Sequence, residues 1–285
     1  MNNITQILVI RSKMPEGPEC HIIGNKLHKI LGGTKLLSIE ILGGRYQKHG
    51  NPTGYDEFTA TRDEITIEEI KVKGKLIYWK FSNGFYMLNT LGMSGGWRNS
   101  KSKHCDVVVN YEKNGKSKSI YFKDQRHFGT LKFVQEAGMT KKLKQLGPDV
   151  LSIELTKDKW LSLCKKYGHW TMPKLIMNQG KISGIGNYLK CEVLYMARVS
   201  PIVKIGDISD EKLATMYEYL LSIPRASLKA KGVSIRDYGM PDGSEGEYQF
   251  MLKVYTRSKD PEGHKVERIS TDDKRTTHWV PALQN

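Results

Sequence analysis

From about residue 34 to residue 135, apolar and polar positions alternate in short runs closed by Gly, Asn or Ser. One such run is Lys75-Leu76-Ile77-Tyr78-Trp79-Lys80-Phe81, followed by Ser82-Asn83-Gly84. A period of two places one strand face on a core and the other in solvent, so the pattern predicts a β-rich first half. A helix is expected ahead of it, over residues 18–31. After Leu146-Gly147-Pro148 the period lengthens, and helices are expected over 154–167, 172–179, 187–197 and 207–222. The two halves therefore meet near residue 147. Gly, Asp and Ser crowd residues 232–246, which reads as a loop. The tail, 248–284, reads as a strand and then a hairpin, without metal ligands. No internal repeat or low-complexity tract interrupts the chain.

Composition narrows the class. The 285 residues are 39% hydrophobic, enough for a sizeable core and for two domains. Forty-five Lys and Arg against 30 Asp and Glu leave a net charge of +15, which fits a polyanionic partner, although solubility alone accounts for such a charge equally well. An acidic protein fits less well, and an anionic membrane less again, because no basic amphipathic helix stands out. No apolar run approaches the roughly 18 residues of a membrane span. Residues 1–13 contain Ile4-Thr5-Gln6-Ile7-Leu8-Val9-Ile10 but neither a basic start nor a small-residue cleavage site, so a signal peptide is not expected. Cys20, Cys105, Cys164 and Cys191 are scattered, which argues against a disulfide framework or a zinc site and for a reducing, intracellular compartment, nuclear or cytoplasmic.

Four short segments carry candidate chemistry. Ile182-Ser183-Gly184-Ile185-Gly186-Asn187 opens a predicted helix, where glycine-bared amides and the Asn187 side chain suit a phosphate; a plain helix cap is the alternative. Leu91-Gly92-Met93-Ser94-Gly95 and Asp124-Gln125-Arg126-His127-Phe128-Gly129 read as tight loops after strands. They present Met93, Arg126 and Phe128, apolar wedges and a guanidinium suited to refilling a base stack, with core packing as the other reading. Met14-Pro15-Glu16-Gly17-Pro18-Glu19 places a proline and two carboxylates behind a methionine. As a first residue Pro15 would carry a nucleophilic secondary amine; inside a chain its nitrogen is an amide and inert. Glu16 and Glu19 alternatively serve only as acids at a helix N-terminus.

These segments, with Gly74-Lys75, Leu146-Gly147-Pro148-Asp149 and the tail, occur in the order and spacing of one family. From Met14 to Gln284 the chain resembles the formamidopyrimidine-DNA glycosylase and endonuclease VIII family of bifunctional DNA repair enzymes. The resemblance implies an α+β fold. Residues 14–146 would form a β-sandwich domain, 147–247 a helix-two-turn-helix domain and 248–285 a hairpin finger, with damaged double-stranded DNA in the cleft; single-stranded DNA stays open as a further partner. It implies that Pro15 attacks C1′ of a flipped nucleotide and that a Schiff base leads to β- and δ-elimination. Glu16 would move protons, with Glu19 in support. Lys75, Asn187 and Arg275 would hold phosphates, and Met93, Arg126 and Phe128 would fill the vacated stack. The leader, 1–13, is then expected to be absent from the active form. A monomer without a cofactor is expected.

The resemblance also has departures. Most members close the finger with four cysteines on zinc, and here Glu262, Lys265, Val280 and Leu283 stand at those positions. No thiolate site can be built from them, so a zincless finger is expected, packed by Val280, Leu283 and Trp279. His264 and His278 as ligands of another site are a weaker expectation. Gly17, the missing cysteines and Asn178-Gln179 lean toward the endonuclease VIII branch and oxidised pyrimidines. The loop Gly232-Val233-Ser234-Ile235-Arg236-Asp237-Tyr238 resembles instead the lid of the 8-oxoguanine-specific branch. A non-catalytic DNA-binding relative, with Pro15 blocked, is a further alternative. A structural RNA-binding protein is a poorer one, since it explains none of the motifs before residue 140.

Overall fold

The alternating segment forms a single antiparallel sheet of eight strands. They are β1 (Thr34–Ile41), β2 (Ile65–Lys73), β3 (Leu76–Phe81), β4 (Phe85–Thr90), β5 (Gly96–Arg98), β6 (Cys105–Lys113), β7 (Lys116–Lys123) and β8 (Thr130–Gln135), in the order β5-β7-β6-β1-β2-β3-β4-β8. The structure is a computed structural model that describes residues 15–61, 64–233 and 247–285. The leader with Met14, and residues 234–246 of the expected loop and lid, lie outside the described residues.

The sheet folds over on itself. Trp97 of β5 packs 5.0 Å from Trp79 of β3, far from it in the ladder, and its indole N–H donates to Asn89 of β4 at 3.0 Å. The two layers are thus halves of one twisted sheet, and Trp79, Phe81, Trp97 and Phe122 fill the space between them. Helix α1 (Gly17–Leu31) lies against β2 with Cys20, Ile23, Gly24, Leu27 and Leu31 buried, the spacing of one helical face. Full burial of Ile23, Leu27 and Leu31 contributes roughly 1.5–3 kcal/mol each.

Three short helices fall inside the half read as strand: α2 (Arg45–His49), α3 (Tyr55–Thr59) and α4 (Glu136–Lys144). Each buries a single large side chain, Tyr46, Phe58 or Met139, so no apolar period existed to read. The helical half contains α5 (Lys157–Lys166), α6 (Met172–Met177), α7 (Asn187–Met196) and α8 (Asp210–Lys229) around a second core. Helix α8 begins later than expected, where Ser209 accepts from the Lys212 amide, and continues through Pro224 to Lys229. Buried Ile223, Pro224 and Ser227 extend its packed face past the proline, offsetting a penalty of about 3 kcal/mol.

The tail departs from its expected strand. Residues Tyr248–Met251 form a 3-10 turn, and the buried Glu192 carboxylate then takes the amides of Lys253, Val254 and Tyr255 at 2.9, 3.1 and 2.8 Å, removing the donors a strand would use. Strands β9 (Glu267–Ser270) and β10 (Thr276–Trp279) form the hairpin. No described helix is long and apolar enough to cross a membrane.

Candidate active site

Pro15 and Glu16 lead into α1 at the seam between the sheet and the helices. Pro18 occupies the first turn, where its missing N–H costs nothing. The Glu16 carboxylate crosses the seam to the N-terminus of α7. Its Oε2 accepts from Gly186 N at 2.8 Å and Leu189 N at 3.2 Å, and its Oε1 from Tyr188 N at 2.8 Å. A Cβ at Gly186 would stand 2.2 Å from Glu16 Cδ, so that glycine is what admits the carboxylate. Glu19, one turn on and fully buried, accepts from Glu16 N at 2.9 Å, Tyr188 Oη at 3.0 Å and Val233 N at 2.9 Å.

Burial dominates the electrostatics. It raises the Glu16 carboxyl to about pH 7, with Glu19 adding to the rise, while Lys75 and the amides of Tyr188 and Leu189 pull it down. Glu19 is raised as well, chiefly by burial. Lys75 is lowered by burial and by the Arg275 charge, and Glu16 opposes that shift. A carboxyl that keeps its proton near neutrality beside a weakened ammonium is a pair equipped to exchange protons.

Lys75 follows Gly74 in the β2–β3 turn, and Asp149 fixes that turn. Its Oδ2 accepts from Gly74 N at 2.7 Å and pairs with His21 Nε2 of α1 at 2.9 Å, while Oδ1 accepts from Leu151 N at 2.9 Å. Pro15, Cys20, Lys75, Leu91, Gly92 and Gln179 are among the residues that line a cavity of about 280 Å³. That is just below the roughly 300–1,000 Å³ usual for small-ligand sites.

The two loops rest on each other. Asp124 accepts from Ser94 Oγ at 2.5 Å, Arg126 N at 3.2 Å and Gly129 N at 2.6 Å. Arg126 Nη1 reaches Met93 Sδ at 3.6 Å, Met93 is half-buried and Phe128 is 57% exposed, so the phenyl ring is no core residue. The loop's left-handed residue, His127, holds the buried Asp106 through Nδ1 at 2.8 Å. On the helical side, Asn187 Nδ2 donates to Thr276 O at 3.0 Å, which sets α7 against the exposed Arg275 of the hairpin.

Pro15 and Lys75 thus line one cavity with Glu16 and Glu19 buried at the start of α1, Met93, Arg126 and Phe128 lie by its Gly92 edge, and Asn187 and Arg275 lie together on the helical side. The sequence reading gave no role to Tyr188, Asp149, Asp124 or Gln179. Gln179 Oε1 accepts from Gly184 N at 3.0 Å and its Nε2 donates to Ile185 O at 2.8 Å, pinning the Gly-rich turn. Only Asp124 had a local signal, an acid opening a turn that ends in glycine. Gln179 acts on a turn only five or six residues on, whereas partners of Tyr188 and Asp149 come from remote segments.

The hairpin does not fit zinc. Val280 is buried in the helical core with Leu283 against it, Trp279 is half-buried, and Glu262 pairs with Arg198 at 2.9 Å. Asp260, Glu262 and His264 bring donors within 4.8 Å of one another, but Asp260 is already occupied by the amides of Glu262 and His264, by His264 Nδ1 and by Tyr195 Oη. His278 lies elsewhere, edge-on to Tyr255 and against Cys191.

The folded sheet and the helical unit, with a buried acid and a cavity amine at their seam, have the architecture of a DNA glycosylase. The profile described as Formamidopyrimidine-DNA glycosylase N-terminal domain matches residues 14–131, and that of the C-terminal domain matches residues 242–285. The chain belongs to the formamidopyrimidine-DNA glycosylase family. It is 26% identical to the formamidopyrimidine-DNA glycosylase of Lactiplantibacillus plantarum, over 95% of this chain and 99% of that one. The MutM (Fpg) protein of Thermus thermophilus superposes with a TM-score of 0.82 at 26% identity, over 95% of this chain and 98% of that one. The fold is also that of Lactococcus lactis Fpg solved with DNA containing an abasic site, with a TM-score of 0.81, 22% identity and coverage of 95% and 99%.

Proposed function

We propose that the chain is a bifunctional DNA glycosylase and abasic-site lyase of base excision repair, acting on oxidised bases, with pyrimidines preferred. The observation that carries this reading is that Pro15 and Lys75 line one cavity at the seam of the two halves, with the buried, proton-holding Glu16 next to Pro15 in the chain and within reach of the Lys75 charge. With Pro15 at a free N-terminus, its nitrogen lone pair attacks C1′ of an extrahelical nucleotide and the C1′–base bond breaks. Glu16 supplies the proton that the sugar needs as its ring opens, and the base departs. Cleavage of the C1′–O4′ bond leaves a 4′ hydroxyl and, as the proline nitrogen releases its own proton, the iminium at C1′; loss of a C2′ proton then expels the 3′ phosphate, and a second elimination expels the 5′ phosphate. Lys75, Asn187 and Arg275 hold the backbone, while Met93, Arg126 and Phe128 occupy the gap, Arg126 facing the orphaned base.

The family match that begins at residue 14 supports Pro15 as the working terminus. Two measurements test the reading together: intact mass of the protein made in its native context, and borohydride trapping on a thymine-glycol duplex. A chain beginning at Pro15 with a covalent adduct is expected. A chain that retains Met1 and forms no adduct would instead establish a non-catalytic DNA-binding relative. The names of the relatives favour formamidopyrimidines, and the Gly232-Val233-Ser234 segment, similar to the lid of the 8-oxoguanine-specific branch, adds that base to a second substrate reading. Parallel excision from thymine-glycol and 8-oxoguanine duplexes decides between them, and faster release of 8-oxoguanine would overturn the pyrimidine preference.

A further inference from the structure

Between α5 and α6, on the outer side of the helical half, two aromatic rings carry three lysines. The Tyr167 and Trp170 rings pack against each other at a tilt of 38°, with centroids 4.6 Å apart. Lys174 Nζ lies 4.7 Å from the Trp170 centroid, and Lys181 and Lys166 Nζ lie 5.0 and 5.8 Å from that of Tyr167. Lys181 also hydrogen-bonds to the Tyr167 phenol and pulls it below its ordinary pKa. None of the three lysines has an acidic partner among the described residues. The rings are held from behind, where Trp170 N donates to Tyr167 O at 2.8 Å and Ile205 N to Trp170 O at 2.8 Å.

We infer that this cluster is a second, preorganised phosphate-binding site, which grips the DNA backbone a few nucleotides from the lesion on the strand engaged by Asn187 and Arg275. The inference rests on the DNA glycosylase reading and extends its contact surface. A lysine on a flexible stem loses rotamer freedom when it binds a phosphate. An aromatic face that already confines the ammonium removes part of that loss, and leaves its charge free for an anion because a ring, unlike a carboxylate, does not neutralise it.

Position favours DNA as the occupant. Thr171, next to Trp170, donates through Oγ1 to Asp272 Oδ2 of the hairpin at 3.2 Å, three residues from Arg275. Lys181 lies two residues beyond Gln179, which lines the cavity, and its amide donates to Asn178 O at 2.8 Å. The six residues of α6 between these ends span about 9 Å, or about two to four nucleotides at 3.4 Å per step.

The test combines protein and DNA changes with the full protein. For Lys174→Gln/Lys181→Gln, affinity for a lesion duplex should fall about tenfold near 0.1 M salt, and the slope of log K against log salt should become shallower by about 1.5–2. Lys118→Gln, on β7 near the far end of α1, should change neither by more than about twofold; α1 spans about 22 Å from the site. Methylphosphonates placed singly along both strands should reveal one or two positions, two to four nucleotides from the lesion, where wild type and the double variant bind alike. Tyr167→Leu/Trp170→Leu should weaken binding and keep the wild-type salt slope. Circular dichroism verifies folding, and the exposed lysine substitutions carry the test if the aromatic pair proves necessary for the fold. Wild-type excision and trapping with an unchanged slope in the lysine variant, or no coupled phosphate at any position, would overturn the inference. A wild type that neither excises nor traps would count against the glycosylase reading instead.

Discussion

At the scale of single residues, burial gives Glu16 its chemistry. Its carboxyl meets three backbone amides that favour the anion, yet desolvation wins and the proton is held to about pH 7. Excision that needs this proton should therefore fall as pH rises from about 6 to about 8, since the donor form is lost through the raised pKa. A rate that is flat across that range would remove Glu16 as the donor. The same shift acts on stability. A folded pKa above the unfolded one means that the contribution is fully present below about 4.5 and is lost as pH rises through about 7. Glu16→Gln keeps the shape of the side chain but not its acid, so it should bind lesion DNA near wild-type affinity and excise at least about a hundredfold more slowly. Gel-shift and single-turnover assays on one preparation check both halves. Pro15→Ala leaves a primary amine if the terminus is free, and it should still trap on abasic DNA at a reduced rate. The opening hexapeptide made these residue types visible, but the raised pKa was not legible, because it comes from burial against α7, whose Gly186, Tyr188 and Leu189 lie some 170 residues away.

At the scale of elements, the hairpin is held by polar contacts as well as by the packing of Val280 and Leu283 expected of it. Lys190 of α7, fully buried, pairs with Asp273 at the hairpin turn at 2.8 Å. Thr271 Oγ1 bridges to Asp273 at 2.5 Å and to Thr277 at 2.7 Å, and Gln284 joins Val280 N and Val199 O. Lys190→Met leaves the Asp273 carboxylate buried without its cation and should destabilise the protein by about 3–5 kcal/mol, whereas Lys190→Met/Asp273→Leu should recover most of that. Urea denaturation of the three proteins reads the difference, and an additive double variant would show that the two side chains do not act as a pair. A zinc chelator should leave both melting temperature and excision unchanged. The missing cysteines were plain in the sequence. So were the apolar residues Val280, Leu283 and Trp279 expected in their place, but the buried ion pair was not, because Lys190 sits in Tyr188-Leu189-Lys190-Cys191, where nothing local says that a lysine faces inward toward a carboxylate 83 residues on.

At the scale of the whole molecule, the surplus of cations becomes a surface. If Lys75, Arg275 and further surface lysines neutralise three or four phosphates, affinity should fall roughly 40- to 150-fold for a fourfold rise in salt. Fluorescence anisotropy on one duplex measures this, and a flat response would contradict a basic cleft. The sequence by itself determined the β half and the main helices, because a buried face imposes its period on the chain, and it determined the candidate residues, because their motifs are contiguous. It also reached the family, through the order of seven short segments. The short helices α2, α3 and α4, the extension of α8 past Pro224 and the 3-10 turn at Tyr248 were settled by tertiary contacts that outweigh local preference. The placement of Glu16 on α7, of Asp149 between Gly74 and His21 and of Lys190 on Asp273 was likewise decided only by folding. Each of these is a polar group whose state is set by desolvation and by partners remote in the chain, and neither quantity exists until the chain has folded.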